Sequence, residues 1–524
     1  MIKNIEMIQS IFFKAYKVFF TVLVLSLIIV DKRIKYFSPL KCFYSNVTLA
    51  LVAIVILLGL CMFKKRIKAF ADKFTTRECW FILVIASMVL YGVQMYIIYN
   101  IYYKSGWDCG VIAEMSEKVA RGELFIRDSA HYNAYLSQNP HQAFMVFILT
   151  IIKKISNHFG IQDMYYFSVM VGTLCVNMTC VLITLVVKNT KGRYYAFCTY
   201  VSAAIFLALS PQSSVPYTDV YVMVINVIVI YLYTWKGKTV GVKWLAISII
   251  AFIGYYIKAT AIICFIAIGI CEFFKSLKME VHIGGKRIAK GIFIILISYI
   301  FSSVIASFGV HYIGFEQDIN KEFTPLHYAM MGLNEESTGI WNSDDVQYSA
   351  SFDNLSDRKK ANFKIIKERI QEKGLLGLLI FEYKKLIMNY NDGTFFFGKE
   401  GGAMLWKSDP PNHTASEILR YYYFRKSNKI MNHVLQTQWL MILMMALVAA
   451  WSFVKKFSDT EFVISITIVG ITIFTLMFEG RSRYLLLYAP YYLVLGLTGV
   501  GIFEKKVHNL YICSKSWFKK KRTL

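Results

Sequence analysis

Stretches of about 20 mostly apolar residues recur along nearly the whole chain, and they limit the fold more than any other feature. Inside a bilayer no water satisfies the backbone, so only helices and closed barrels cross it, and a helix needs about 20 apolar residues to do so. Stretches of this kind are read at 11–30, 46–63, 79–101, 163–187, 194–210, 218–235, 244–256, 259–274, 291–310, 436–454, 461–478 and 484–503, twelve in all. The first carries Lys14 and Lys17, and the pair on either side of Lys258 is short for a full crossing. Of the 524 residues 56% are hydrophobic and only 17% charged, which excludes a soluble multidomain enzyme. The expected fold class is an all-α polytopic membrane protein with two large external loops.

The formal charge of +25 has two readings. A basic soluble chain suggests nucleic acid, whereas a basic membrane chain places Lys and Arg in its cytoplasmic loops. With both termini cytoplasmic, the short inner loops (64–78, 188–193, 236–243, 275–290, 455–460) hold 19 Lys and Arg, and the short outer loops hold 7. The tail from Glu504 adds seven more. The positive-inside rule therefore accounts for most of the charge, and no nucleic-acid partner is expected. A multi-pass protein of the plasma membrane follows, with membrane lipids as its surroundings. The first apolar run leads into Asp31-Lys32-Arg33 rather than a small-residue cleavage site, so it is expected to stay as an anchor. The ten cysteines have no zinc spacing or disulfide pattern and read as small hydrophobes.

Residues 141–155 are apolar but too short to cross, and they follow Pro140, which suits the first turn of a helix. They are expected to lie at the outer surface as a juxtamembrane helix. The chain then divides into an N-terminal transmembrane pair with a basic loop (1–78), a transmembrane core (79–310) with a first external loop (102–162), an external module (311–435), C-terminal transmembrane helices (436–503) and a basic tail (504–524). Within the module, apolar residues at 363–380 suggest amphipathic helices broken at Gly374 and lying on the membrane.

Charges on the outer side, where topology does not call for them, are the candidates for chemistry. Asp108 precedes a short amphipathic helix that Gly122 would end; it suits an N-cap or a catalytic base. Glu114, Glu117, Lys118 and Arg121 read most simply as the solvated face of that helix. Asp219 opens an apolar helix after the turn SPQSSVPY, as a cap or a functional acid. Lys258 suits either snorkelling to the interface or binding phosphate. In FEGRSRYLLLYAP, Glu479, Arg481 and Arg483 lie between two spans, and two arginines at i and i+2 suit a phosphate head or interfacial anchoring. Tyr484 and Tyr488 suit an aromatic belt. Carboxylates and cations from four separated parts of the chain thus share one expected depth.

WDCG followed by AEMSEKVARGE, then YLSQNPHQ, PYTD, GYYIKA and EGRSRYLLLYAP resemble the GT-C superfamily of polytopic glycosyltransferases. The resemblance is strongest to the branch of protein O-mannosyltransferases and the lipid A aminoarabinose transferase. FTPLHYAMMGLN and NYNDGTFFFG resemble bacterial membrane proteins grouped with these enzymes. Many members carry paired acids in the first loop; here Asp108 is followed by Cys109 and Gly110, as in single-Asp members.

The resemblance implies transfer of a sugar from a polyprenyl-phosphate donor to an envelope polysaccharide, protein or lipid at the outer face. Asp108 would be the general base and Asp219 a second catalytic acid. Lys258, Arg481 and Arg483 would hold the lipid phosphate, with Glu114, Glu479 and Tyr484 as secondary candidates. The resemblance leaves room for a divalent cation, Mg or Mn, without requiring one. Two rivals stay open: a polysaccharide polymerase or ligase, whose key arginines would lie in the large loop, and a lipid-linked saccharide flippase or transporter, which would call for inverted repeats and midplane charges.

Overall fold

The computed structural model describes residues 2–29, 44–235, 237, 240–397, 404–406, 413–424 and 430–522. Asp31, Lys32 and Arg33 lie outside these residues. The chain begins with α1 (Ile2–Ile29), α2 (Asn46–Asp72), α3 (Thr76–Ile101), a short strand β1 (Tyr103–Ser105), α4 (Asp108–Arg121), α5 (Ala130–Gln138) and α6 (Ala143–His158). It continues through α7 (Met164–Lys191), α8 (Arg193–Ala203), α9 (Thr218–Thr234), α10 (Val240–Ile257), α11 (Ile262–Leu277) and α12 (Val281–Tyr312). The module contains α13 (Pro325–Gly332), α14 (Ser343–Ala350), α15 (Leu355–Tyr390), β2 (Met404–Trp406) and α16 (His413–Phe424). The last helices are α17 (Ile430–Phe453), α18 (Asp459–Met477), α19 (Arg483–Leu486) and α20 (Ala489–Arg522).

Eight helices among the described residues are long and apolar enough to cross a bilayer: α1, α2, α3, α7, the Ala259–Leu277 helix, α12, α17 and α18. Four of the twelve expected crossings take a different form. Residues 194–210 break where α8 passes into a π turn at Ala204–Ala208. The helices Thr218–Thr234 and Gly241–Ile257 are apolar but shorter. Residues 484–503 split at Leu487 and Tyr488 into α19 and α20. Most of these irregular stretches are enclosed: Phe206, Leu207, Leu487, Tyr488 and most of α9 are buried. Backbone at membrane depth tolerates a break or a short helix when protein rather than lipid surrounds it, and apolarity alone does not distinguish the two environments.

Local sequence sets the ends. Thr75 and Glu78 form a capping box before α3, with Glu78 Oε2 accepting from the Thr75 amide at 2.7 Å. Ser458 and Glu461 repeat the device before α18. Gly122, at φ 73°, stops α4 as expected. In the core Trp439 stacks on Phe206 at 5.8 Å and donates to the Tyr390 carbonyl at 2.8 Å. Gly496 and Gly499 let α20 approach the backbone of α17 around Ile442 and Met445, a contact that side chains there would block.

The loops segregate to two ends of the bundle. At one end Lys191 pairs with Glu461 at 2.5 Å, Lys64 with Glu504 at 2.6 Å and Lys275 with Asp459 at 2.6 Å, and Arg193 donates to the Phe74 carbonyl. These are all residues of the expected inner loops or next to them. At the other end α6 packs against α4, α7 and α12. Gln142, just before it, donates to Tyr217 at 2.7 Å, and Lys154 near its far end donates to Tyr312 at the end of α12. The module is tied to this end by β1 and β2, which pair antiparallel with Lys104 opposite Leu405.

Candidate active site

The WDCG segment assigns a separate task to each of its residues. Trp107 is the residue before α4, and Asp108 is its first helical residue. Asp108 therefore stands one position past the cap. Its exposed carboxylate accepts from the Tyr135 hydroxyl at 3.0 Å. Burial and the neighbouring carboxylate raise the Tyr135 phenol well above its ordinary range, so it stays a donor. Cys109 points into the core. Gly110 passes so close to the Ser105 carbonyl that a side chain there would collide with β1.

Three segments distant in sequence meet beside this helix. Asp219, in the first turn of α9 and 2% exposed, pairs with Lys258 Nζ at 2.8 Å and faces Arg483 Nε at 3.7 Å. Lys258 occupies the break between α10 and the Ala259–Ala261 turn and lies 5.0 Å from the centre of the Tyr484 ring. The Arg483 guanidinium stacks against Trp107 at 4.3 Å and Tyr217 at 5.0 Å. Glu479 pairs with Arg481, whose guanidinium lies 5.4 Å from the Phe396 ring. Burial works against the Glu479 charge, but Arg481 holds its carboxyl below the usual range.

A second layer fixes the loop 478–483. Lys385 of α15, fully buried, donates to the carbonyls of Gly332 at 2.8 Å, Leu476 at 2.7 Å and Phe478 at 2.6 Å. The amides of Glu479 and Gly480 donate to the Tyr328 and Gly339 carbonyls at 2.8 and 3.0 Å. Seven residues beyond Lys385, Asp392 accepts from Ser482 at 3.3 Å and from the amides of Thr394 and Phe396. Phe395 and Phe396 take left-handed φ values of 54° and 67°, a conformation that bulky residues adopt only when their surroundings enforce it. The strained turn places Phe396 under Arg481.

Five of the eight site candidates converge in the ion-paired cluster: Asp219, Lys258, Glu479, Arg481 and Arg483. Tyr484 packs against Lys258. Asp108 adjoins the cluster through Trp107, which Arg483 covers. Glu114 does not join: it lies on the exposed face of α4, pairs with Lys118 at 3.0 Å and accepts from Tyr132 at 2.8 Å. Tyr488 is a core residue rather than part of a belt, donating to the Thr260 carbonyl at 2.7 Å. Sequence reasoning passed over Trp107, Tyr135, Tyr217, Lys385 and Phe396 as individuals, although four of them fall in quoted motifs. Beside Lys258 and His141 a groove of about 440 Å³ opens between α6, α10 and α12, with Phe144, Tyr256, Val310 and Phe315 among its walls.

Among the described residues no three His, Cys, Asp or Glu side chains gather as metal ligands. Asp219 and Glu479 are already paired with the cluster's own cations. This donor set does not fit a divalent ion held by side chains.

A family model described as "conserved hypothetical integral membrane protein" matches residues 1–500. The chain belongs to this family. None of the curated proteins matches it. Among solved structures, the archaeal oligosaccharyltransferase AglB from Archaeoglobus fulgidus, in complex with an inhibitory peptide and a dolichol-phosphate, aligns at 11% identity and a TM-score of 0.41. That alignment covers 84% of this chain and 52% of the other, so the chain spans about half the length of that structure.

Proposed function

We propose that the protein is a membrane glycosyltransferase of GT-C type, which moves a sugar from a polyprenyl-phosphate carrier to an envelope acceptor at the outer face. In this reading the spans number about twelve and both termini are cytoplasmic. The observation that carries it is one juxtaposition: an exposed carboxylate, Asp108, beside a cluster that gathers Lys258, Arg481 and Arg483 with the enclosed Asp219 and Glu479. Lysine and arginine side chains gathered in this way suit a phosphate.

Asp108 takes the proton of the acceptor hydroxyl as the acceptor oxygen bonds to the anomeric carbon. The bond from that carbon to the phosphate oxygen breaks, and the electron pair leaves with the polyprenyl phosphate. Lys258, Arg481 and Arg483 stabilise the charge that develops there. The groove at His141 and Phe144 takes the first part of the apolar tail. Asp219, the second catalytic acid expected from sequence, is also the fixed counter-ion that orients Lys258 and Arg483. All the charges lie at one end of the helices, which favours transfer at a surface over transport through the midplane.

The test is glycan and lipid-carrier analysis of a deletion strain carrying either the wild-type chain or Asp108→Asn. Accumulated polyprenyl-phosphate sugar with an under-decorated envelope polymer in the variant is expected. Full decoration by Asp108→Asn removes the base role, and lipid intermediate trapped on the inner leaflet replaces the transferase with a flippase.

A further inference from the structure

After the kink at Gly374 (φ 58°), α15 exposes the face that helices usually bury. From 375 to 385 every exposed position is Leu375, Leu376, Leu379, Ile380 or Tyr383. Their exposures reach 79% at Leu375, 72% at Leu376 and 59% at Leu379. Those are the values of lipid-facing side chains on the spanning helix α12, such as Ile300 at 61% and Val304 at 63%. On the opposite side Phe381 and Lys385 are buried against protein. Before the kink the exposed positions are mixed, with Lys359, Lys360, Lys364 and Lys367 beside Phe363 and Ile370. A change at one bend from a lysine-rich, amphipathic outer face to a wholly apolar one marks a helix that passes from the headgroup surface into the headgroup boundary.

We infer that residues 375–383 lie in the bilayer leaflet on the side of the candidate site, with the upstream lysines over its anionic headgroups. The stripe ends two residues before Lys385, whose ammonium bonds to the Leu476 and Phe478 carbonyls at the end of the spanning helix α18. It is therefore continuous with the lipid-facing surface of the bundle. A helix of this kind buries its apolar face about 5–10 Å into the headgroup–acyl boundary, and each basic residue near an anionic surface adds to the attraction. Because α15 also braces the loop 478–483, its seat in the leaflet sets the depth of Arg481 and Arg483. The inference holds whatever reaction the site performs.

The test is photocrosslinking of the full chain in nanodiscs of phosphatidylethanolamine and phosphatidylglycerol. The photoreactive amino acid p-benzoylphenylalanine is placed singly at Leu376, at Leu379, at Ile300 as a lipid-facing reference and at Lys360 as a water-facing one. Phospholipid adducts at Leu376 and Leu379 are expected within about twofold of Ile300 and at least about tenfold above Lys360. Replacing phosphatidylglycerol with phosphatidylcholine is expected to lower the yield at Leu376 but not at Ile300. A chain-to-chain adduct at Leu376 assigns the stripe to a second copy and overturns the inference. A yield at Leu376 and Leu379 no higher than at Lys360, with Ile300 labelled normally, overturns it too.

Discussion

Asp219 and Lys258, 39 residues apart, form a 2.8 Å ion pair where two apolar helices meet, with Arg483 3.7 Å from the same carboxylate. Removing one member of a buried pair leaves the other charged and desolvated, at a cost of about 3–5 kcal/mol, whereas removing both often costs far less. Lys258→Met and Asp219→Asn are each expected to lower the thermal midpoint in detergent. The double variant should recover part of the loss, and the remainder reflects Arg483 left without its carboxylate. A double-mutant cycle on unfolding midpoints measures the coupling. Strictly additive losses contradict the pairing.

Asp108 differs because its carboxylate is exposed and accepts from the Tyr135 hydroxyl. Asp108→Asn should leave the folding free energy within about 0.5 kcal/mol of wild type, as for surface positions. Loss of a general base should lower transfer by about 10²–10⁴-fold. Tyr135→Phe removes the orienting hydrogen bond and not the base, so a smaller loss is expected. Transfer from a polyprenyl-phosphate sugar in membranes, set beside thermal melting of the same preparations, separates the two effects. An Asp108→Asn variant that melts early instead makes the residue structural.

Arg483 depends on shape as well as charge. Its planar guanidinium lies over Trp107 and Tyr217, and a lysine keeps the charge without the stacking surface. Cation–π contacts contribute about 0.5–2 kcal/mol, so Arg483→Lys should weaken polyprenyl-phosphate binding by about two- to thirtyfold. The readout is inhibition of transfer by added polyprenyl phosphate. An unchanged inhibition constant assigns the stack to packing alone.

These sites were legible in the sequence to different degrees, for physical reasons. Lys258, Arg481 and Arg483 stand out because a cation on the outer side of an apolar chain conflicts with positive-inside topology. Asp219 stands out as an ionisable group that opens an apolar helix, but its pairing does not, since nothing local reports that residues 219 and 258 meet. Trp107, Tyr135, Tyr217 and Phe396 carry much of the site's geometry and were passed over; among 9 Trp, 35 Tyr and 40 Phe, four more aromatics give no contrast. Spans with lipid on their outer face announced themselves by length. Residues 194–210 and 484–503 concealed a π turn and a break, because hydropathy is the same for a side chain facing lipid and one facing protein. Gly122 and Gly374 were readable as a stop and a kink because each conformation suits glycine.

Lys385 left little sequence signal, one lysine of a Lys-Lys pair on a mixed helix, yet it bonds to three carbonyls around the loop that carries Glu479, Arg481 and Arg483. A charged ammonium offers three donors and a neutral amine two, so deprotonation releases one of those carbonyls. Burial lowers the Lys385 pKa from the ordinary lysine range of about 10.4. Between the folded and the unfolded pKa the unfolded chain binds the proton that the native chain has lost. Stability therefore rises with pH across that window and is lower below it. Activity should move the other way, because the loop loses a brace as the amine forms. Transfer rate and thermal midpoint, measured on the same sample from neutral pH to about 10, are thus expected to diverge. Lys385→Met should reduce both pH dependences while lowering transfer at neutral pH, since three buried carbonyls lose their donor at about 1–3 kcal/mol each. Parallel rise or parallel fall of rate and midpoint in the wild-type chain excludes the bracing role.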